Sequence, residues 1–146
     1  MPCAFCGAPF NWLTSHSLSD NSGRICNACN ARFQSINLNP NAIGTSPLAN
    51  HPTISLAGIF QNLVFTNPEI NAMAAASNQA GGNAEDIWGL GFAAYHHTVP
   101  HANIVVVYTR QQNNIVVQAM GRHIGRGGND EYRILRRDGR AYRATR

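Results

Sequence analysis

Cys3-Ala4-Phe5-Cys6 and, nineteen residues further on, Cys26-Asn27-Ala28-Cys29 are the two stretches on which the reading of this chain turns, and they hold all four of its cysteines. A C-x2-C knuckle delivers two sulfurs from one tight turn, and two knuckles complete the tetrahedral thiolate set that zinc prefers. Gly7, directly after the first pair, supplies the backbone freedom such a turn uses. The second pair opens Asn27-Ala28-Cys29-Asn30-Ala31-Arg32-Phe33, which can continue as a helix with Phe33 and Ile36 facing inward. Residues 1–36 are therefore expected to fold around one structural zinc ion held by Cys3, Cys6, Cys26 and Cys29. So small a module cannot fold on apolar burial alone; metal binding, worth about 10–16 kcal/mol in finger peptides, supplies the difference.

Outward from the knuckles, residues 37–53 carry three prolines and many turn formers, and read as a linker without regular structure. Residues 54–78 read as helical. Leu56, Ile59, Phe60, Leu63 and Val64 fall at i, i+3, i+4, i+7 and i+8, a single buried stripe. Asn67-Pro68-Glu69 then offers an N-cap, a proline at the first helical position and an acid in the first turn, which starts a second helix through Ile70, Met73 and Ala74. Residues 84–95 could hold a third, short helix interrupted by Gly89 and Gly91.

The remainder reads as β. Ile104–Tyr108 and Ile115–Met120 are β-branched runs joined by a polar connection, and Glu131–Arg136 and Arg140–Thr145 flank an Asp138-Gly139 turn. The expected architecture is α+β: a zinc module over 1–36, a linker over 37–53, and a domain over 54–146 with two or three helices followed by an antiparallel sheet of about four strands.

All 11 basic residues are arginine, and lysine, ordinarily a common residue, is absent. Codon bias toward arginine explains this poorly, because the same bias would suppress asparagine and the chain has 17. Avoiding lysine removes the attachment point for ubiquitin, which fits a host-directed effector acting on a protein. The charge is also uneven. Residues 122–146 hold eight Arg against Asp130, Glu131 and Asp138, a net of +5; residues 1–121 hold three Arg against four acids, a net of −1. A basic tail on a near-neutral body points to a polyanion, RNA or DNA, with Arg110, Arg126, Arg133, Arg136, Arg137, Arg140 and Arg143 as its contacts. Tyr132 and Tyr142, interleaved with these arginines, could stack on bases.

No apolar run approaches the ~20 residues of a membrane helix, so no membrane partner is expected. Met-Pro-Cys shows none of the regions of a secretory leader. Paired C-x2-C cysteines point to a metal in a reducing compartment rather than to disulfides. The expected location is cytoplasmic, or the inside of a target or host cell reached by delivery.

Histidine is the side chain best suited to proton transfer near neutral pH. His96, His97 and His101 precede the first β run, and Gly121-Arg122-His123 follows the second. His123 can protonate a leaving oxygen while Arg122 clamps the phosphate.

Two family resemblances rest on these residues. Knuckle, hairpin, then knuckle leading into a helix is the treble-clef arrangement, and Ile25-Cys26-Asn27-Ala28-Cys29 with Trp12 between the knuckles resembles a GATA-type finger; Asn30 stands where that family has glycine. His101, Ile104–Tyr108, Ile115–Met120 and Gly121-Arg122-His123 resemble the last hairpin of RelE-like messenger-RNA-cleaving toxins, within the barnase–EndoU–colicin–RelE ribonuclease group. That resemblance implies metal-independent RNA cleavage by 2′-hydroxyl attack, with His123, Arg122 and His101 as catalytic residues, Arg110 or Arg126 assisting, and an immunity protein as a partner. Val105 stands where the family usually has arginine, and Glu85 and Asp86 are candidates for the general base, a role His101 could also fill. The alternatives are a non-catalytic zinc-finger DNA/RNA-binding protein and the host-directed effector.

Overall fold

The computed structural model describes residues 3–11, 13, 15–18, 23–33, 43–44, 48, 50–79, 82–100, 102–125 and 130–145. Trp12, His101, Arg126 and most of the expected linker lie outside these residues.

A two-stranded hairpin, β1 (Ser15–Ser17) and β2 (Arg24–Cys26), runs directly into α1 (Asn27–Arg32). The following strands are β3 (Ile43–Gly44), β4 (Ile54–Ala57), β5 (Tyr95–Thr98), β6 (Ile104–Gln111), β7 (Asn114–Gly125), β8 (Glu131–Arg136) and β9 (Ala141–Thr145), with α2 (Asn67–Asn78) between β4 and β5. All seven belong to one sheet in the order β3-β4-β7-β6-β5, to which β8 and β9 attach through β7.

The fold class is α+β, as the sequence implied, but its details differ. The described residues hold two α-helices, not two or three in the domain after the linker, and the sheet is mixed because β4 runs parallel to β7. The helix expected from residue 54 is instead a strand followed by a 3-10 helix, Gly58–Asn62. Gly58 sits at φ +54, a left-handed conformation that ends the strand and that the interior of an α-helix running through residues 54–64 does not accommodate. Leu56, Phe60 and Leu63 are still buried, but Val64, assigned to the same stripe, is 53% exposed. Within the expected linker, Ile43 and Gly44 pair with Ala57 and Leu56. No helix forms over 84–95: Gly89 and Gly91 take positive φ, Glu85 and Ala94 bridge, and Tyr95 begins β5.

The second helix begins where its sequence implied, one residue adjusted. Thr66, not Asn67, is the N-cap, and its hydroxyl and Glu69 form a reciprocal capping box. The Asp138-Gly139 turn also forms, with Gly139 at φ +82 donating to the Arg136 carbonyl.

β7 organises the sheet. Along one edge it pairs with β6. Its other edge is divided, with residues 115–117 taken by β4 and residues 119–125 by β8. Gln118 fills the fork: its carbonyl accepts from the Arg137 amide at 3.0 Å, its Nε2 donates to Thr109 Oγ1 at 3.1 Å, and its Oε1 accepts from Arg137 Nη1 at 3.3 Å. The Gln118 carbonyl and both ends of its side-chain amide thus have partners, as burial demands.

The two sheet faces carry separate cores. Val106, Tyr108, Val117, Met120 and Leu135 pack with Ala72, Met73 and Ala76 of α2, and that cluster continues into Cys3, Phe5, Ile25 and Cys29. On the other face Val105, Val107, Ala119 and Ile134 underlie Trp88 and Tyr132. No helix among the described residues is long and apolar enough to cross a membrane.

Arg32 joins the cysteine module to the rest. Its guanidinium donates to the Val64 carbonyl at 2.9 Å and pairs with Glu69, which is 2% exposed. Removing the cation leaves a carboxylate buried without its partner, which typically costs about 3–5 kcal/mol. Arg32→Ala is expected to lose stability of that order in urea unfolding, while Arg32→Ala combined with Glu69→Gln recovers part of it.

Candidate metal centre and active site

The candidate metal centre is built from two turns. Cys3 and Cys6 flank a turn closed by the Gly7 amide on the Cys3 carbonyl at 3.0 Å and by the Cys3 amide on the Ala8 carbonyl at 2.8 Å. Gly7 at φ +76 reverses the chain. Cys26 ends β2, and its sulfur caps α1 by accepting from the Cys29 amide at 3.4 Å. The amides of Phe5, Cys6 and Cys26 all point at Cys3 Sγ at 3.4 Å. The four sulfurs lie within 4.8 Å of one another, a set that could hold one metal ion.

Amide donors favour thiolate at Cys3. The Cys29 thiol donates to it first, and with the backbone amides it holds Cys3 down to about 4; retaining that proton pushes Cys29 up, and burial pushes Cys6 up. Arg32 Nη1 lies 3.9 Å from Cys29 Sγ, offering positive charge to the thiolates. Four sulfurs at this spacing, with amide donors and an arginine around them, fit a divalent thiophilic ion.

A second site lies at the β5 edge of the sheet, a cleft of about 720 Å³. His96, His97 and His123 line it together with Glu85, Asp130 and Tyr132. Alternation along β5 sends His96 to the face of Trp88 and Tyr132 and His97 to the opposite one. His123 projects from β7, where a bulge between His123 and Gly125 breaks the β8 register.

The polar groups form one connected set. His123 Nε2 is 3.1 Å from Asp130 Oδ1, and the imidazole stacks on Tyr132 with ring centres 4.4 Å apart and planes 17° apart. The Tyr132 hydroxyl lies 3.3 Å from His96 Nε2, and His96 Nδ1 is 3.4 Å from Glu85 Oε1. Each histidine is thus oriented by its own carboxylate, and a buried tyrosine stands between them. Tyr132 packs in turn on Val105, Val107 and Ala119, and Val105 pairs with Gly121 on β7. Gly121 is obligatory, since a Cβ there would sit 1.9 Å from the Arg133 carbonyl oxygen.

Comparison with protein-family models, with curated proteins and with solved structures gives no match.

The structure brings together only part of the site expected from sequence. His123 lines the cleft. Arg122, its neighbour on the strand, points to the opposite face and packs beside Gly7, its Cγ 3.2 Å from where a Gly7 Cβ would stand. His101 and Arg126 fall outside the described residues. The arginines form several groups. Arg110 lies over Tyr95 at 4.4 Å and donates to the Gln79 carbonyl. Arg136 pairs with Asp138 and the Gly89 carbonyl, and Arg137 with Gln118; Arg140 lies 3.9 Å from Asp138. Arg133 and Arg143 share Glu131. Tyr132 is a core residue rather than an exposed base platform, whereas Tyr142 is 38% exposed. Asp130, and His96 as the partner of Glu85, gave no sequence signal of their own; treating Tyr95–Thr98 as a strand would have put His96 and Tyr132 on one face.

Burial pushes the His97 imidazole below its ordinary value. Because the folded state resists that proton and the unfolded chain accepts it near pH 6.5, His97 weakens the fold as pH falls from about 6.5 toward its lowered value. His97→Asn is expected to flatten the loss of melting temperature between pH 7 and pH 5 relative to wild type.

Proposed function

We propose that the protein is an endoribonuclease that cleaves single-stranded RNA by 2′-hydroxyl attack, stabilised by one zinc ion on a treble-clef module. The observation that carries this reading is the pairing of His123 with Asp130 and of His96 with Glu85 on either side of Tyr132 in one cleft. Transesterification at a phosphodiester needs one group to take a proton and another to give one, and two histidines with separate carboxylate supports meet that need. Neutral His96 removes the proton of the 2′-hydroxyl. The 2′-oxygen bonds to phosphorus, the bond from phosphorus to the 5′-oxygen breaks, and protonated His123 gives its proton to that departing oxygen. His96 takes the general-base role for which Glu85, Asp86 and His101 were the candidates from sequence.

Zinc is the ion favoured by four cysteines, and a knuckle, a hairpin and a helix opening at the second knuckle fit the treble clef. A four-thiolate site is closed, with no position left for substrate, so the proposed chemistry uses side chains alone.

His123→Gln and His96→Gln should each lower the rate of cleavage of a single-stranded RNA by about 10²–10⁴-fold, with near-wild-type circular dichroism. Brief treatment with chelator should leave the initial rate intact. Full activity in His123→Gln, or immediate loss with chelator while the fold persists, would contradict the reading. Binding without cleavage would favour a non-catalytic nucleic-acid-binding protein, for which the arginine-rich final hairpin is the supporting observation.

A further inference from the structure

Arg122, Arg133 and Arg143 stand directly opposite one another on β7, β8 and β9. Directly opposed residues of antiparallel strands share a face, and like charges placed so repel. Within the row, Glu131 is the carboxylate that the arginines contact, bound by Arg133 at 3.3 Å and by Arg143 at 2.6 Å. The row therefore carries surplus positive charge on the face opposite the catalytic cleft. Arg122 leans on the Cys3–Gly7 knuckle, where a zinc tetrathiolate, with two net negative charges, would hold it; Arg133 and Arg143 are 42% and 67% exposed in their side chains.

The row is not isolated from the cleft. Arg122 and Arg133 line a second cavity, of about 490 Å³, together with Asn103 and Ile124, and His123 lines both this cavity and the cleft. β6 begins opposite Arg122, so His123 to Gly125 lie past its first residue, and His123 borders a cavity on each face.

We infer that Arg133 and Arg143, with Arg122 behind them, form a phosphate-binding track for a single-stranded RNA whose scissile phosphate lies at His123, so that nucleotides next to the cut pass by way of the second cavity onto this row. The scissile position rests on the ribonuclease reading; the track itself does not need cleavage. Its consequence is a preference for substrates of several nucleotides over dinucleotides.

The test uses the full chain with its metal and a fluorescein-labelled eight-nucleotide RNA carrying a 2′-O-methyl group at each position, which cannot be cleaved by 2′-attack, followed by anisotropy across a salt series. Arg133→Gln with Arg143→Gln should weaken binding at least about tenfold and lower the salt slope by about 1.4, two contacts at roughly 0.7 each. Arg133→Lys with Arg143→Lys should keep most of the affinity and slope, which a merely structural role for the guanidiniums would not. Affinity within twofold of wild type and an unchanged slope in the glutamine variant would overturn the track. If RNA is cleaved while the glutamine variant binds normally, the track fails and the catalytic reading stands. If binding falls as expected but wild-type protein never cleaves RNA, the track stands and the catalytic reading fails. Equal or tighter binding of a duplex DNA would overturn the assignment to single-stranded RNA.

Discussion

Strand alternation along β7 is the constraint on which the rest of the structure depends. Consecutive side chains of a strand leave on opposite faces, and β7 is paired on both edges over most of its length. Beyond the register shift at Gln118, its alternate positions are thereby committed to two different cores, Ala119 to one and Met120 to the other. Arg122 is directed to the cysteine knuckle and His123 to Tyr132, and the two exchange places only through a register slip that also swaps Ala119 and Met120 between the cores. The two chemistries of the molecule, thiolate and imidazole, are thus attached to adjacent residues of one strand.

The cysteine module is tied to that strand and to α2 by polar contacts as well as by apolar packing. Arg32 reaches a cysteine sulfur, the Val64 carbonyl and the buried Glu69 carboxylate. Glu69 itself closes the capping box of α2. The cysteine module therefore supports a helix start, and that helix packs on the sheet face behind the cleft. Metal binding couples to folding through such links, because the ligands converge only in the folded chain.

Local chemistry was legible in the sequence where it was self-contained. The two knuckles, the Asp-Gly turn, the helix start at Pro68 and Glu69 and the β-branched runs each depend on residues close in the chain, and each formed. What failed depended on distant partners or on a single backbone angle. Leu56, Phe60 and Leu63 satisfy a helical period, yet Gly58 turns with positive φ and Ile54–Ala57 is captured by β7 as a parallel strand. Tyr95–Thr98 looks unremarkable until β6 pairs with it and sorts His96 from His97. Placing Arg122 beside His123 on one phosphate treated neighbours in sequence as neighbours in space, which a strand forbids. The carboxylates that orient the histidines, Glu85 and Asp130, are brought in by loops whose course no pattern encodes.

Central to the account is the claim that two carboxylate-supported histidines exchange protons with a ribose and a leaving oxygen. The chemistry of the cut ends reports this most directly. Mass spectrometry of a single-stranded RNA after brief incubation with the protein should find 2′,3′-cyclic phosphate on one fragment and a free 5′-hydroxyl on the other. Fragments ending in 3′-hydroxyl and 5′-phosphate would mean that water, not the 2′-oxygen, attacked phosphorus, and would contradict the mechanism.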